Sequence, residues 1–104
     1  MNHVNLIGKM SSSPRFVELE NGKKLARFTL STQETYLDQE GKPKTRKQKH
    51  TLTAWGRWVK ILEELSEVGS KIAVEGKLVN RFYHSKGQRK QIAEVEVNDL
   101  ILMG

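Results

Sequence analysis

Aromatic residues lie inside or beside two stretches of the chain that carry many basic residues and no acidic ones. Residues 41–60 include seven Lys or Arg, residues 77–90 include five, and neither stretch contains Asp or Glu. The aromatic residues that are candidates for a binding site are Tyr36, Trp55, Phe82 and Tyr83. Flat rings stack on exposed bases, and neighbouring Lys and Arg pair with phosphates. The combination predicts a track that binds a single-stranded nucleic acid without reading its sequence.

The basic stretches stand out against an otherwise acidic chain of 104 residues. The chain has 18 Lys or Arg and 12 Asp or Glu, which gives a net charge of +6 and a pI near 9.7. The two stretches hold 12 of the 18 basic residues, so the remainder carries 6 minus 12, or −6. This distribution favours a polyanion as partner, nucleic acid first and an anionic membrane surface second. A set of solvated surface loops is the alternative.

Each aromatic residue also fits a purely structural role. Packing at a strand edge is the alternative for Tyr36 and Tyr83. Burial in the core is the alternative for Trp55, because Leu52 and Trp55 differ in parity and only one of them faces inward on a regular strand. Trp58 belongs to an apolar helical pattern, so we interpret it as a core residue and leave it out of the site.

Residue types that catalysis or metal binding would need are absent or scattered. The chain has no cysteine, which excludes disulfides and thiolate chemistry. His3, His50 and His84 lack the paired spacing of a metal site, and the sequence has no phosphate-binding glycine loop or nucleophile motif. We therefore predict no enzyme, no cofactor and no metal. Without a signal peptide or an apolar run of about 20 residues, we expect a cytoplasmic, nucleoid-associated protein with no membrane partner.

Hydrophobic alternation predicts a chain built mainly of strands. The predicted strands cover residues 3–10, 15–20, 24–33, 47–55, 71–83 and 89–102. Gly8 predicts a bulge or bend in the first strand, and Asn21-Gly22 predicts a hairpin turn. Residues 38–46 predict a polar loop, and residues 85–88 predict a turn.

One segment changes from strand to helical periodicity. Its apolar residues at helical spacing are Trp58, Ile61, Leu62 and Leu65. They predict a helix over 57–68, with Gly69 in a position to end it. A single helix between the third and fourth major strands suits an all-β, five-stranded Greek-key barrel of the OB-fold class. We predict one domain over 1–104.

Four motifs, in order, resemble those of the bacterial single-stranded DNA-binding protein family. Residues 1–8 resemble the family's opening Met-Asn-x-Val-x-Leu-(Ile/Val)-Gly, and residues 21–32 resemble its second-strand signature. Residues 50–56 are similar to His-x4-(Phe/Trp)-Gly, and residues 69–78 are similar to Gly-Ser-x-(Val/Ile)-x-(Val/Ile)-Glu-Gly-x-Leu. The resemblance covers nearly the whole chain and implies an OB fold that binds single-stranded DNA.

The resemblance also implies which residues contact the DNA. Tyr36, Trp55 and Tyr83 match three of the family's four base-stacking positions, and Lys49 stands where the fourth aromatic residue would be. Arg57 and Arg81 match positions that are commonly basic. Together with the basic residues of the two stretches, these give the expected phosphate contacts, namely Lys42, Lys44, Arg46, Lys47, Lys49, Arg57, Arg81, Lys86, Arg89 and Lys90.

Further implications of the resemblance concern assembly and partners. The family forms dimers through its first strand, which Val4, Asn5 and Leu6 match, and His50 matches a histidine at subunit contacts. We expect a homotetramer, or a dimer, that binds single-stranded DNA. The chain stops at Gly104, before the family's linker and acidic tip, so we expect no protein partners recruited through such a tail.

The function expected from the sequence is sequence-independent binding and protection of single-stranded DNA in replication, recombination and repair. A primosome-type OB-fold adaptor, which bridges replication proteins and binds DNA secondarily, is the alternative. A small nuclease is a further alternative. An RNA-binding OB module is another, because stacking alone does not distinguish DNA from RNA.

Overall fold

The computed structural model describes residues 2–65 and 67–103, apart from the side chains of Leu65, Tyr83 and Ser85. The chain runs through β1 (Val4–Met10), β2 (Arg15–Glu18), β3 (Lys24–Leu37), β4 (Pro43–Trp55), α1 (Arg57–Leu65), β5 (Lys71–Ser85) and β6 (Gln88–Met103). In the described part of the chain, no helix is long and apolar enough to cross a membrane.

Five long strands close into a barrel. The strands neighbour one another in the order β1, β5, β6, β4 and β3, and β1 pairs again with β3 through Lys9 and Met10. All pairs are antiparallel except β4 with β6, which is parallel. The short strand β2 adds to the edge of β3. The prediction of a five-stranded barrel with one helix between the third and fourth long strands is therefore confirmed.

The core is filled by alternate residues of the strands that face the barrel interior. On β3 these are Ala26, Phe28 and Leu30, and on β4 they are Leu52 and Ala54, all of them buried. A strand with one buried face shows this period of two, which is why the alternation in the sequence was informative.

The helix covers the barrel through a different face from the predicted one. Val59 and Leu62 are fully buried, whereas Trp58 and Ile61 are only half-buried. The predicted face omitted Val59, and its last residue, Leu65, has a side chain outside the described structure. The helix also ends at Leu65 rather than at residue 68.

Two glycines have roles that differ from the predicted ones. Gly69 does not cap the helix, and its N–H donates to the carbonyl oxygen of Met10, 2.8 Å away. Of the bulge or bend predicted at Gly8, the bulge is wrong, because β1 and β5 pair without interruption there. Gly8 instead lets β3 approach closely, since a Cβ at this position would collide with the carbonyl oxygen of Ser31.

A bulge does occur on β6, at Asn98. Glu75 pairs with Asp99 and Gly76 with Val97, so Asn98 has no partner opposite it. The extra residue reverses the parity of the strand, which allows Val97 and Leu100 both to face the core.

Two hairpin arms extend beyond the barrel. β3 and β4 remain paired up to Leu37 and Pro43, and β5 and β6 remain paired up to Ser85 and Gln88. The predicted polar loop at 38–46 is therefore too long. Residues 43–46 belong to a ribbon that is solvated on both faces, so they show no hydrophobic alternation to mark them as strand.

Candidate nucleic-acid interface

The outward face of β4 carries a row of side chains that ends at Trp55. Leu52 and Ala54 point into the core, so the alternate residues point outward, and Trp55 is half-buried on this surface. Trp55 therefore does not belong to the core. The outward row consists of Lys47, Lys49, Thr51, Thr53 and Trp55. It places two lysines in line with an aromatic ring on one strand.

A groove lies beside Trp55, between β2, β3, β4 and β5. Its apolar walls are formed by Val17, Leu25, Trp55 and Phe82. Its polar lining includes Arg27, Thr53 and Arg81. The groove has a volume of about 500 Å³, within the range of roughly 300–1,000 Å³ that is usual for small-ligand pockets. We call these seven residues the Trp55 groove.

Past Trp55, the surface continues as a shallower channel towards the start of the helix. Trp58 lines this channel, and the guanidinium carbon of Arg57 lies 4.5 Å from the centre of its ring. Lys23 and Lys24, which follow the hairpin turn, lie on the same channel. Trp58 packs partly against the core, as predicted, but it also lines this channel. Its position therefore gives no reason to leave it out of the candidate site.

A buried carboxylate holds the arginines of the Trp55 groove. The side chain of Glu94 has no exposed area. Its Oε1 accepts a hydrogen bond from Nη2 of Arg27, and its Oε2 accepts from Nε of Arg81 at 2.8 Å and from the hydroxyl of Thr53 at 2.9 Å. We call these four residues the Glu94 cluster. Glu96, on the same face of β6, adds a second carboxylate at 3.2 Å from Nη2 of Arg81.

The aromatic residue of the β3–β4 arm is separated from this groove. Tyr36 is 43% exposed and has the parity of the core residues of β3, so it leaves the ribbon on the opposite face from Trp55. Tyr36 pairs with Lys44, which is roughly 35 Å along β4 from Trp55. Arg46 lies 5.0 Å from the ring centre of Tyr36, and its Nε donates to Oε1 of Glu34 at 2.9 Å.

The β5–β6 arm carries a further cation and aromatic pair. The guanidinium carbon of Arg89 lies 4.0 Å from the ring centre of Phe82. Tyr83 pairs with Lys90 across the arm, but its side chain lies outside the described residues. Lys86, with φ of 51°, and Gly87 form the turn at the tip.

Most of the predicted phosphate-contacting residues are not neutralised by a neighbouring carboxylate. Lys42 lies 3.7 Å from Glu40, and Arg46 and Arg81 are paired as described. Within residues 2–65 and 67–103, no carboxylate approaches within 4 Å of the other seven, Lys44, Lys47, Lys49, Arg57, Lys86, Arg89 and Lys90.

The residues predicted at subunit contacts occupy two separate places. Val4 and Leu6 pack against the core, whereas Asn5, between them, points outward. His50 lies on β4, where its Nε2 is 3.0 Å from the hydroxyl of Thr32. The strands β1 and β4 are not hydrogen-bonded neighbours.

Sequence reasoning missed several residues that line the site. Arg27 and Thr53 lie on the outward faces of their strands, next to buried residues, and Glu94 is an acid in an apolar strand. The signal for Arg27 was its position between Ala26 and Phe28, where the alternation places it outside the core. No local pattern could show that Glu94 meets Arg27 and Arg81, because Arg27 lies 67 residues away and the contact with Arg81 depends on how β5 pairs with β6. Among the described residues, no group of His, Cys, Asp or Glu side chains could hold a metal ion.

Comparison with known proteins identifies the family. The model of the single-strand binding protein family matches residues 1–103. A single-stranded DNA-binding protein 1 from Chlorobaculum tepidum is 29% identical over 106 residues, and one from Neisseria meningitidis serogroup A is 26% identical over 105. The matches cover 100% of this chain but only 65% and 60% of those relatives.

Solved structures agree with this assignment. The Plasmodium falciparum SSB in complex with ssDNA has a TM-score of 0.90 and 29% identity, and the match covers 100% of this chain and 96% of that one. A deletion mutant of the single-stranded DNA binding protein from Thermus aquaticus has a TM-score of 0.89 and 25% identity over 100% of this chain and 51% of that one. The chain belongs to the single-strand binding protein family.

Proposed function

We propose that this member of the family binds single-stranded DNA through base stacking and phosphate contacts, independently of sequence. The observation that carries the proposal is the row on β4, where a half-buried tryptophan at the wall of a groove is followed by Lys49 and Lys47. An aromatic face accepts any base, and the lysines match a backbone that has the same charge at every nucleotide.

The stacking residues of the proposal are Trp55, Tyr36 and Tyr83. Trp55 supplies the central platform, and Tyr36 supplies a second one on the β3–β4 arm, with Arg46 held against its ring. Tyr83 lies on the β5–β6 arm. Platforms this far apart favour a long binding site, along which several weak contacts act together.

The phosphate contacts of the proposal fall into two groups. Seven cations have no carboxylate within 4 Å among the described residues, and these, such as Lys47, Lys49 and Arg57, attract the backbone through their charge. Lys42, Arg46 and Arg81 have carboxylate neighbours, so they add less net charge to the surface. Their contribution to binding depends more on where their donor groups are held. We expect the first group to account for most of the salt dependence of binding.

Self-assembly of the chain is supported by the outward face of β1, β5 and β6. Three rows of directly paired residues cross this face, Asn5–Glu75–Asp99, Ile7–Ala73–Ile101 and Lys9–Lys71–Met103. Ile7 and Ile101 are each 59% exposed. A second copy related by a two-fold axis through the middle row would set the acidic row against the basic row.

A second surface for assembly is the open edge of β1. Residues 4–8 pair with β5 on one side only, because the contact with β3 begins at Lys9. Edge pairing and face-to-face packing are independent surfaces, so together they favour a homotetramer, and either one alone would give a dimer. His50 is proposed as an additional contact between subunits.

The proposed role is to coat and protect single strands during replication, recombination and repair, with no bond made or broken. This role places the protein with chromosomal DNA in the cytoplasm. The test is competition for a fluorescent oligo-dT, using unlabelled dT or duplex of equal length, at low and high salt. We expect dT to displace the label at far lower concentration than duplex. Equal competition by both, abolished at high salt, would contradict the proposal and favour the adaptor function.

A further inference from the structure

The Glu94 cluster places a buried carboxylate beside a surface that is proposed to bind phosphates, and phosphate binding does not explain why it is there. A carboxylate with no exposed side-chain area is costly, and a buried ionic cluster is often less stable than an apolar one of the same volume. Among the described residues, Glu94 is the only acidic residue that is buried. Its hydrogen bonds go to Arg27, Thr53 and Arg81, which all line the Trp55 groove, and this suggests a role in the groove rather than in the core.

The hydrogen bonds of Glu94 fix two guanidinium groups in one place. Oε1 binds Arg27, and Oε2 binds both Arg81 and Thr53, so each carboxylate oxygen is used. Arg27 and Arg81 keep about a third of their side-chain area exposed, at 33% and 31%, and both line the Trp55 groove. A planar guanidinium held by a carboxylate loses little freedom when it binds a ligand.

The charges at this place cancel. Arg27 and Arg81 carry two positive charges, and Glu94 and Glu96 carry two negative ones. A phosphate would therefore gain little from net charge here and would approach two carboxylates. Arg81 spends Nε and one N–H of Nη2 on these carboxylates, while a guanidinium has five N–H donors. The remaining donors suit a neutral ligand with acceptor atoms, such as the edge of a base.

We propose that Glu94 is a positioning residue that holds Arg27 and Arg81 beside Trp55, so that they donate hydrogen bonds to the edge of a base stacked on that tryptophan. The inference rests on the proposed binding of single-stranded DNA. It adds that the groove recognises bases through donated hydrogen bonds, while the lysines of the arms attract phosphates through charge.

Two variants separate positioning from charge. Glu94→Gln and Glu96→Gln each make the chain more positive by one charge, on the same face of the same strand. If the carboxylates merely reduce attraction for DNA, both variants bind oligo-dT more tightly. If Glu94 positions the arginines, Glu94→Gln loses about tenfold in affinity, because both guanidinium groups lose a charged partner, while Glu96→Gln removes one contact of Arg81 alone and loses far less.

A strand without bases tests the ligand class. An abasic deoxyribose-phosphate oligomer has the charge of dT but no base edge, so Glu94→Gln should bind it at least as tightly as wild type. Arg81→Lys keeps the positive charge but loses the planar guanidinium group and its set of N–H donors. This substitution serves as the second variant if Glu94→Gln does not fold. It should lose several-fold more affinity for dT than for the abasic strand. A merely structural role would lower the melting temperature without changing the ratio between the two ligands.

Different results would overturn the positioning role of Glu94 and the binding of single-stranded DNA. Wild-type binding of dT, together with unchanged or tighter binding by Glu94→Gln or an unchanged dT to abasic ratio for Arg81→Lys, would overturn the positioning role alone. Failure of the wild type to prefer dT over duplex would overturn the proposed function, and the inference with it.

Discussion

Replacing Trp55 with alanine should weaken DNA binding far more than it weakens the fold. Trp55 is half-buried on the outward face, opposite Leu25, and does not belong to the buried core. We expect a stability loss of about 1–2 kcal/mol, below the roughly 3–5 kcal/mol for an aromatic residue of the core. Stacking of one base contributes about 1–3 kcal/mol, so Kd for oligo-dT should rise by about 5-fold to 150-fold.

The assay is fluorescence anisotropy of labelled dT over a series of salt concentrations. Trp55 carries no charge, so its loss should shift the plot of log affinity against log salt without changing the slope. Leu25→Ala is the matched control, because it removes apolar area from the same groove at the paired position but no π-face. Trp55→Phe should recover most of the affinity, since a smaller aromatic ring remains.

Three results would refute this reasoning. A change of less than twofold in Kd for Trp55→Ala would mean that no base stacks there. An equal loss for Leu25→Ala would mean that the groove binds through apolar area alone. A reduced salt slope would mean that the substitution disturbs the phosphate contacts instead of the platform.

Three further predictions concern the fold, the arms and assembly. Gly8→Ala should destabilise the barrel by about 1–3 kcal/mol in urea unfolding, because the new Cβ would collide with the carbonyl oxygen of Ser31, and unchanged stability would contradict the close approach. Replacing Lys47 and Lys49 together with glutamine should lower the salt slope for single-stranded DNA by about 1.4, and an unchanged slope would place the phosphates elsewhere. Ile101→Asp should reduce the mass measured by light scattering while leaving the thermal unfolding of the separated chain cooperative, and an unchanged mass would remove this face from the assembly.

The barrel was predictable because its strands bury one face. Phe28 and Leu30 on β3 and Val95 and Val97 on β6 show the alternation that such strands require. The helix was recognisable from its change of period, although its buried face was misplaced. Val59 is one of several apolar residues in the helical segment, and the sequence does not distinguish it from Trp58 or Ile61. Which of them is buried depends on the side of the helix that packs against the barrel.

The arms and the Glu94 cluster were harder to predict, for two physical reasons. The β3–β4 arm is solvated on both faces, so no apolar period distinguishes Lys44 to Arg46 from a loop. The cluster depends on pairing between strands: Glu94 lies 67 residues from Arg27 and 41 from Thr53. Counting charges along the chain suggested acid-free stretches, but the fold brings Glu34 to Arg46 and Glu94 to Arg81.

The structure brings together only part of the site that the sequence predicts. Trp55 lies at a groove, on one face with Lys47 and Lys49, as a binding track requires. Tyr36 lies on the other face of the ribbon, which no residue count along the chain reveals. Trp58 was assigned to the core from its helical spacing, although a residue at the edge of an apolar face can border both the core and a groove.

The most direct test of base stacking at the groove uses Trp55 as its own reporter. In a Trp58→Phe variant, Trp55 is the only remaining tryptophan of the two in the chain. Its fluorescence should be strongly quenched by oligo-dT, largely retained with an abasic strand of equal charge, and little affected by duplex DNA. Equal responses to all three ligands, or none to dT at saturating binding, would contradict stacking on Trp55.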